Sequence, residues 1–379
     1  MNQAAQHADC VVLGGGLAGA MTALRLASAG RDVLLVEKEP GTHGKVCGEF
    51  LSPEAIHYLR AAGVDLAALG AAPIHQLCVS TGTRVVAVDL PFSAMSLSRS
   101  VLDEALLARA AEHGCLILRG VAVESLTREG AWWQAQLADG NVLRARNAFL
   151  ATGKHELRGW TRGAGRQNDL VGFKLHWRLT PVQTAALRGV MDLFLLRGGY
   201  GGLSLVESGV ANLCLVVRRA ELRRLGGWPQ LLCSVLDEDR ALRERLDAAQ
   251  PLWERPLAIS SIPYGYLAPR QGAGQPPLWR VGDQIAVIPS FTGDGMSIAL
   301  HSATLAANSF LAGELPETYR HKLAAQLQNG MTLATGLSRL MVTPAGRLAA
   351  PVVLGLMPGV LRSIATRTRI PVHALQAVR

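Results

Sequence analysis

The sequence predicts a mixed α/β fold, in which a Rossmann-like nucleotide-binding domain contains an inserted antiparallel-sheet domain and is followed by a helical C-terminus. Three observations predict it. A strand, a glycine-rich turn, a helix and a second strand follow one another near the N-terminus, a second glycine-rich strand-to-helix segment lies far downstream, and short strand-like runs separate the two. With 379 residues, 49% of them hydrophobic, the chain can bury two joined cores.

The amino-acid composition limits the kinds of molecule that this protein is expected to bind. Aromatic residues make up only 5% of the chain, which argues against a base-stacking nucleic-acid surface. The formal net charge of +9 attracts anions in general and selects no particular one. The six cysteines lie far apart, without the spacing of a zinc site, so we expect reduced thiols, no bound metal and a cytoplasmic protein. The N-terminus lacks the pattern of a secretory signal.

The first element is a complete βαβ unit, "DCVVLGGGLAGAMTALRLASAGRDVLLVEK". Gly14, Gly16 and Gly19 occupy the G-x-G-x-x-G positions, where they allow a tight turn, close approach of a pyrophosphate and close packing of helix on strand. The helix start offers free N–H groups to the phosphates. Glu37 ends the second strand, where a carboxylate can accept hydrogen bonds from a ribose diol.

The second glycine signal is "LWRVGDQIAVIPSFTGDGMSIALHSATLAA". A short strand leads to Gly282 and Asp283, and after a loop Gly293 and Gly295 open an apolar helix. A dinucleotide dehydrogenase of simple design does not need this second segment. The first βαβ unit does not show which dinucleotide cofactor binds, and this second segment therefore decides the choice.

This downstream segment resembles the ribityl-binding segment of FAD oxidoreductases of the p-hydroxybenzoate hydroxylase superfamily, and within it the geranylgeranyl reductase branch is the most similar. "SLSRSVLDEALLARAAEHGCLILRGVAVESL" resembles that family's arginine-led helix and adenine-side strands, and "AFLATGKHELRG" resembles its third FAD-contacting strand. The resemblance covers most of the chain in order. It implies FAD as the cofactor.

By this resemblance Asp283 holds the ribityl hydroxyls, Arg99 anchors the cofactor, and the backbone near Val121 meets adenine. Gly293 and Gly295 bring a helix N-terminus to the flavin ring, where N–H groups stabilise the negative charge of the reduced flavin. The full set of expected cofactor-binding residues is Gly14, Gly16, Gly19, Glu37, Lys38, Lys45, Val46, Cys47, Arg99, Val121, Ala151, Thr152, Gly153, Gly282, Asp283, Gly293, Gly295 and Met296.

The segment "KVCGEFLSPEA" resembles the active-site wall of the reductase branch, which makes Cys47 and Glu49 the candidate catalytic residues. Two roles stay open for Cys47, proton donation to a carbon being reduced and packing beside the flavin. Lys45 and Glu49 pull its pKa in opposite directions. Glu49 is either a general acid or base or a solvated carboxylate after a glycine turn.

Five further residues are candidates for substrate contact, with an ordinary structural role as the alternative for each. "SSIPYGYLAP" contains Tyr264 and Tyr266, and resembles an aromatic motif of the reductase branch that tends to have tryptophan there. "GFKLHW" contributes His176 and Trp177, and "GGYGGLS" contributes Tyr200. The tryptophan-rich W-x-W-x-I-P motif of flavin halogenases is not found, so halogenation is disfavoured.

The expected organisation is a discontinuous FAD-binding domain of residues 1–70, 95–158 and 275–330, a substrate domain of residues 71–94 and 159–274, and a C-terminal helical segment, 331–379. The active site is expected between the two domains. The C-terminal run "LAAPVVLGLMPGVLRSIATRTRI" contains Pro351 and Pro358. We favour short helices that pack over the core, and an amphipathic anchor peripheral to the inner face of the membrane is the alternative.

Three functions are compatible with these patterns. The preferred one is a monooxygenase that takes electrons from NAD(P)H and hydroxylates a hydrophobic, phenolic or polyketide-like molecule through a flavin C4a-hydroperoxide. The second is a reductase or dehydrogenase acting on a carbon–carbon bond of a lipid-like substrate. The third is an electron carrier that transforms no bound substrate. Substrate identity, the exact electron donor and the oligomeric state are left open.

Overall fold

The computed structural model describes residues 6–272, 274–357 and 359–375. Its strands are β1 (Gln6–Leu13), β2 (Val33–Glu37), β3 (Phe50–Leu51), β4 (Ala72–Thr81), β5 (Arg84–Ser96), β6 (Leu116–Arg119), β7 (Val123–Glu129), β8 (Trp132–Leu137), β9 (Val142–Leu150), β10 (Leu170–Arg178), β11 (Gly189–Leu196), β12 (Gly199–Leu205), β13 (Ala211–Arg218), β14 (Gln250–Pro251), β15 (Leu257–Ser260), β16 (Tyr266–Leu267), β17 (Trp279–Arg280) and β18 (Ala286–Val287).

Eleven helices accompany these strands within the described residues. They are α1 (Leu17–Ser28), α2 (Pro53–Ala61), α3 (Arg99–Glu112), α4 (Pro181–Leu187), α5 (Arg219–Leu225), α6 (Trp228–Glu238), α7 (Arg240–Leu246), α8 (Gly295–Leu311), α9 (Pro316–Met341), α10 (Pro344–Leu356) and α11 (Gly359–Thr368). The mixed α/β class predicted from the sequence is confirmed.

The first sheet, called here the nucleotide sheet, has the order β6-β2-β1-β9-β8-β7, with β17 beside β9. Strands β6, β2, β1 and β9 run parallel, as the βαβ pattern predicts. Strands β8 and β9 pair antiparallel and form a hairpin around Asp139. Helices α1, α3 and α8 pack together on this sheet and bury the alanine-rich face of α1.

The second sheet, called here the substrate sheet, has the order β14-β10-β13-β12-β11-β4-β5-β3, with β15 beside β10. Its pairs are antiparallel apart from β11 with β4. One face packs against α6 and α7, where Leu231, Val235 and Leu242 meet alternate residues of β10. Tyr200 on β12 points to the other face, in the core that also contains α1 and α8. Residues of this second face can therefore reach the nucleotide-binding elements.

The strands of the two sheets agree only in part with the predicted division of the chain into domains. Strands β4 and β5 and the chain from β10 to β15 form the substrate sheet, in line with the segments assigned to the substrate domain. Strand β3 joins the same sheet although its segment was assigned to the FAD-binding domain. The chain around Phe50 therefore passes from one sheet to the other, and the boundaries themselves stay a prediction.

The C-terminal part forms helices, as expected. Pro351 does not end α10, which continues to Leu356 with the proline ring buried. Pro358 and residues 376–379 lie outside the described residues. Among the helices that the structure describes, none has the length and apolar character needed to cross a bilayer.

Candidate active site

The glycine turn after β1 has the geometry that its sequence predicts. Gly14 has a φ of 110°, and a Cβ there would lie 2.5 Å from the carbonyl oxygen of Ala151. A Cβ at Gly19 would lie 1.8 Å from the carbonyl oxygen of Gly14, so α1 packs directly on the turn. No side chain caps α1, whose N-cap is Gly16. Its first N–H groups are therefore available to an anion.

Two cations lie over this helix start. Lys45 Nζ is 3.2 Å, and Arg99 Nη2 3.5 Å, from the point where a Cβ at Gly16 would be. Asp103 holds both, with 2.9 Å to Lys45 Nζ and 2.8 Å to Arg99 Nε. Burial raises the pKa of Asp103, but the charges of Arg99 and Lys45 outweigh burial and lower it. The expected residues Lys45 and Arg99 thus meet at the glycine turn, and Asp103, which sequence reasoning missed, positions them.

Glu37 is buried at the end of β2, where the resemblance places a ribose. Its Oε2 accepts a hydrogen bond from the Gly15 N–H at 2.7 Å, and its Oε1 accepts one from the Glu39 N–H at 3.0 Å. Lys38 Nζ lies 3.6 Å from a carboxylate oxygen of Glu39 and 3.4 Å from His155 Nε2. Val121 packs at the edge of the core of the nucleotide sheet.

The Gly282–Asp283 turn reaches the same place from the far end of the chain. Gly282 has a φ of 60°, and a Cβ there would lie 2.8 Å from the Cβ of Ala18 in α1. Asp283 Oδ2 is 3.9 Å from Lys154 Nζ, and that ammonium donates a hydrogen bond to the Val46 carbonyl at 3.0 Å. The structure therefore joins three of the segments expected to bind FAD. Lys154 links them, although no sequence signal singled it out.

The chain after β9 runs beside the glycine turn. The Ala151 N–H donates to the Leu13 carbonyl at 2.9 Å, which continues the parallel pairing of β9 with β1. The hydroxyl of Thr152 donates to the His155 carbonyl at 2.8 Å. The Gly153 carbonyl accepts a hydrogen bond from the side chain of Gln284 at 2.9 Å.

A second uncapped helix start lies at "TGDG". Gly293 has a φ of 72°, and a Cβ there would lie 2.5 Å from Cδ1 of Phe50. Helix α8 begins at Gly295 without a side-chain cap, and Met296 is buried in its first turn. Its free N–H groups therefore lie against the segment that follows Glu49. This arrangement suits the developing negative charge of a reduced flavin.

The residues fit an FAD molecule. An uncapped helix start with two cations suits the pyrophosphate, a buried carboxylate at the end of β2 suits the ribose, and a second uncapped helix start suits the ring system.

Glu49 is the centre of a buried polar cluster. It is fully buried and has a φ of 59°, a left-handed conformation that is uncommon outside glycine. Its carboxylate forms an ion pair with Lys174 and accepts hydrogen bonds from His176 Nε2 at 2.9 Å and from the Arg99 backbone N–H at 2.7 Å. We call Glu49, Lys174 and His176 the Glu49 cluster.

The charge state of Glu49 follows from these contacts. Burial raises the pKa of the carboxyl, but the hydrogen bond from His176 and the charge of Lys174 outweigh burial, so the pKa lies below its ordinary value. Glu49 is therefore ionised at neutral pH. The prediction that it is a solvated carboxylate is wrong, because the side chain has no exposed surface.

Strand β10 explains why Lys174 belongs to the Glu49 cluster and Trp177 does not. Successive side chains of a strand point to opposite faces, so Lys174 and His176 share one face. Trp177 lies on the other face, in the core with α6 and α7. It is therefore not beside Glu49, which corrects its assignment to substrate contact. Sequence reasoning missed Lys174, although a charge two residues before His176 in an apolar strand was a usable signal.

Cys47 lies next to the Glu49 cluster. The Glu49 backbone N–H donates to the Cys47 sulfur at 3.4 Å, and the side chain of Asn212 donates to the Cys47 carbonyl at 3.2 Å. Cys214 is a second nearby thiol, and burial raises its pKa to about 12, so it stays protonated. Both roles considered for Cys47 remain compatible with this position.

The three candidate tyrosines separate into two places. The Tyr264 hydroxyl donates to Ser290 Oγ at 2.8 Å, and the Tyr200 hydroxyl lies 3.2 Å from the same oxygen. Burial raises the pKa of both phenols, so both are neutral at physiological pH. Tyr266 instead lines a cavity of about 460 Å³ together with Arg280. It is therefore apart from the pair formed by Tyr200 and Tyr264.

The match with known proteins agrees with this geometry. Residues 7–146 match the family described as FAD binding domain. The menaquinone reductase of Mycolicibacterium smegmatis is 24% identical over 89% of this chain and 85% of its own length. A protein of Escherichia coli named probable electron transfer flavoprotein-quinone oxidoreductase YdiS is 26% identical over 81% of this chain and 77% of its own. The myxobacterial chondrochloren halogenase CndH has a similar fold, with a TM-score of 0.76 over 98% and 96% of the two chains at 18% identity.

Fold and site together define an FAD-dependent oxidoreductase. The assignment rests on the match of residues 7–146 to the FAD binding domain. This part of the chain contains the glycine turn after β1, the cations Lys45 and Arg99, and the buried carboxylate of Glu37. The narrower resemblance to the geranylgeranyl reductase branch stays a prediction.

Proposed function

We propose that this protein is an FAD-dependent reductase that adds two hydrogens across a carbon–carbon double bond of a lipid-soluble, quinone-like molecule. The observation that carries the proposal is the buried Glu49 cluster, which holds a histidine beside an ionised carboxylate near the free start of α8. The similarity to a menaquinone reductase over most of both chains supports the choice of substrate class.

The chemistry divides between cofactor and protein. Bound FAD, once reduced, supplies a hydride. The chain must supply a proton to the second carbon, and in this proposal His176 donates it. Glu49 stabilises the cationic imidazole through the 2.9 Å hydrogen bond to Nε2, and Lys174 keeps Glu49 ionised. The ring of His176 stacks on Trp253 with 4.7 Å between centroids, which fixes its orientation. Solvent then returns the proton to His176.

Two alternatives from the sequence compete with this proposal. Oxygen-dependent hydroxylation of a phenolic or polyketide-like molecule was the first expectation, and non-catalytic electron transfer was the third. NAD(P)H is the proposed electron donor for reduction and hydroxylation, and a partner protein is the alternative donor. Cys47 is the competing proton donor, since its sulfur lies 3.4 Å from the Glu49 nitrogen.

One product analysis separates these functions. Holo-protein reduced with dithionite under argon is mixed with menaquinone in detergent, and the extracted product is analysed by mass and absorbance. A gain of two hydrogens with the quinone chromophore retained after air is admitted supports the proposal. A quinol that returns to unchanged menaquinone in air would indicate electron transfer alone. A product that gains one oxygen atom only when oxygen is supplied would indicate hydroxylation. Free reduced FAD with menaquinone is the control for the uncatalysed reaction.

A further inference from the structure

Large exposed hydrophobic side chains concentrate near the C-terminus. The described residues expose eleven such side chains, and six of them lie between residues 340 and 357. These six are Leu340, Leu348, Val352, Val353, Leu356 and Met357. Exposed apolar area gathered in one place marks an interaction surface, whereas scattered single residues do not.

Helix α10 presents most of this area as a continuous stripe. Leu348, Val352 and Leu356 are spaced four residues apart, so they follow one another along one face of the helix. Every exposed residue of α10 from Leu348 onward is apolar. The opposite side of the helix packs on the protein, where Gly346 and Pro351 are buried. The stripe is therefore an uncovered face of a well-anchored helix.

The C-terminal segment that carries the stripe has charged side chains of a single sign, although Arg347 of α10 pairs with Glu238. Between Thr318 and Arg379 the sequence contains eight Lys or Arg residues and no Asp or Glu. Helix α11, which follows α10, exposes Arg362 and Arg367, and neither makes an ion pair with any residue that the structure describes. An exposed apolar helix face, followed in the chain by a helix with exposed and unpaired arginines, fits the boundary between acyl chains and anionic headgroups.

We infer that α10 and α11 dock this protein on an anionic bilayer surface. The apolar stripe inserts beneath the headgroups, and Arg362 and Arg367 contact lipid phosphates. The docking elements adjoin the candidate site, because α10 packs on β5, and β5 pairs with the strand that follows Glu49. Delivery of a lipid-phase substrate to the Glu49 cluster rests on the proposed function, whereas docking itself does not.

Vesicle flotation of the full-length holo-protein tests the docking. The vesicles are phosphatidylglycerol mixed with phosphatidylcholine, and phosphatidylcholine alone. We expect the wild type to float with the mixed vesicles and much less with the neutral ones. Leu356→Asp should lower the bound fraction about tenfold or more, because a carboxylate replaces apolar surface and is repelled by anionic lipid.

Val182→Asp on α4 is the matched control, because Val182 and Leu356 are both 78% exposed. It should bind vesicles as the wild type does. FAD content and melting temperature show that both variants remain folded. Absence of wild-type binding, or equal binding by Leu356→Asp and wild type, would overturn the inference. So would sedimentation showing a wild-type dimer that Leu356→Asp converts to monomer without any vesicle binding, since a second copy would then cover the stripe. Flotation measures no turnover, so its result is independent of the product analysis.

Discussion

His176 Nε2 lies 2.9 Å from a carboxylate oxygen of Glu49, although 127 residues separate them in the chain. Glu49 follows the glycine-rich N-terminal unit, and His176 lies on β10 of the substrate sheet. The contact therefore joins two distant segments of the chain at the site where the flavin ring is expected. Since Lys174 completes the cluster from the same strand, one carboxylate depends on two partners that only the folded chain supplies.

Removing the charge of Glu49 should destabilise the protein. Glu49→Gln keeps the shape but leaves the ammonium of Lys174 buried without a counter-charge, which we expect to lower the free energy of unfolding by about 3–5 kcal/mol. Glu244→Gln is the control, because its ion pair with Arg240 is exposed to solvent and should contribute little to stability. Urea unfolding at neutral pH measures both. Equal effects of the two substitutions would contradict the buried pair.

The pH dependence of the same effect has a defined sign. The pKa of Glu49 in the folded protein lies below its ordinary value of 4.5. Its stabilisation is therefore present above that ordinary value and is lost as the pH falls through the lower folded pKa. The difference in stability between wild type and Glu49→Gln should shrink as unfolding is measured at more acidic pH.

His176 should matter more for turnover than Cys47 does. We expect His176→Asn to lower kcat for menaquinone reduction by about 100-fold or more, because a positioned proton donor is lost. Cys47→Ala should change kcat far less and leave the pH profile in place. The measurement is anaerobic reoxidation of the reduced flavin by menaquinone across a range of pH. The reverse ranking of the two variants would make Cys47 the proton donor.

Gly19 should be essential for cofactor binding. A methyl group at Gly19 would meet the carbonyl oxygen of Gly14 at 1.8 Å, so Gly19→Ala must displace the turn that receives the pyrophosphate. We expect this variant to lose most of its bound FAD, measured by flavin absorbance per protein. Gly41→Ala is the control, since a Cβ at Gly41 meets nothing within 4 Å. Full FAD content in Gly19→Ala would argue against the pyrophosphate position.

Asp294 should make the protein less stable as the pH rises. Burial raises the pKa of this carboxyl from 3.8 to about 7, and the opposing effects of Arg369 and of the Thr292 and Thr368 hydroxyls are smaller. Folding therefore favours the protonated form, and stability falls between these two values and stays low above them. Asp294→Asn should remove this dependence and gain up to about 4 kcal/mol at pH 8. Unfolding at pH 5 and pH 8 measures it, and an unchanged pH slope would refute the burial of a charge.

The parts of the site that the sequence predicted correctly are those controlled by local geometry. Gly14, Gly16 and Gly19 predict a turn because only glycine leaves space for it, and the structure has the turn where they stand. The Gly282–Asp283 pair was found from the second glycine-rich segment, and it meets α1 at Ala18. His176 and Trp177 were assigned together to substrate contact because they are adjacent in the sequence. Adjacent side chains of β10 point to opposite faces of the sheet, so the assignment of Trp177 is wrong.

The sequence by itself determined the nucleotide-binding unit, the class of fold and the requirement for a second glycine-rich segment, because these depend on periodicity and on backbone space within a few residues. Only the tertiary structure decided that Glu49 is an ionised, buried carboxylate and which residues hold it. Burial and ion pairing are set by neighbours that come from distant parts of the chain, and Lys174 is one of them. Tertiary packing also decides that Tyr266 lies apart from Tyr200 and Tyr264, because the positions of these side chains follow from how the sheets pack.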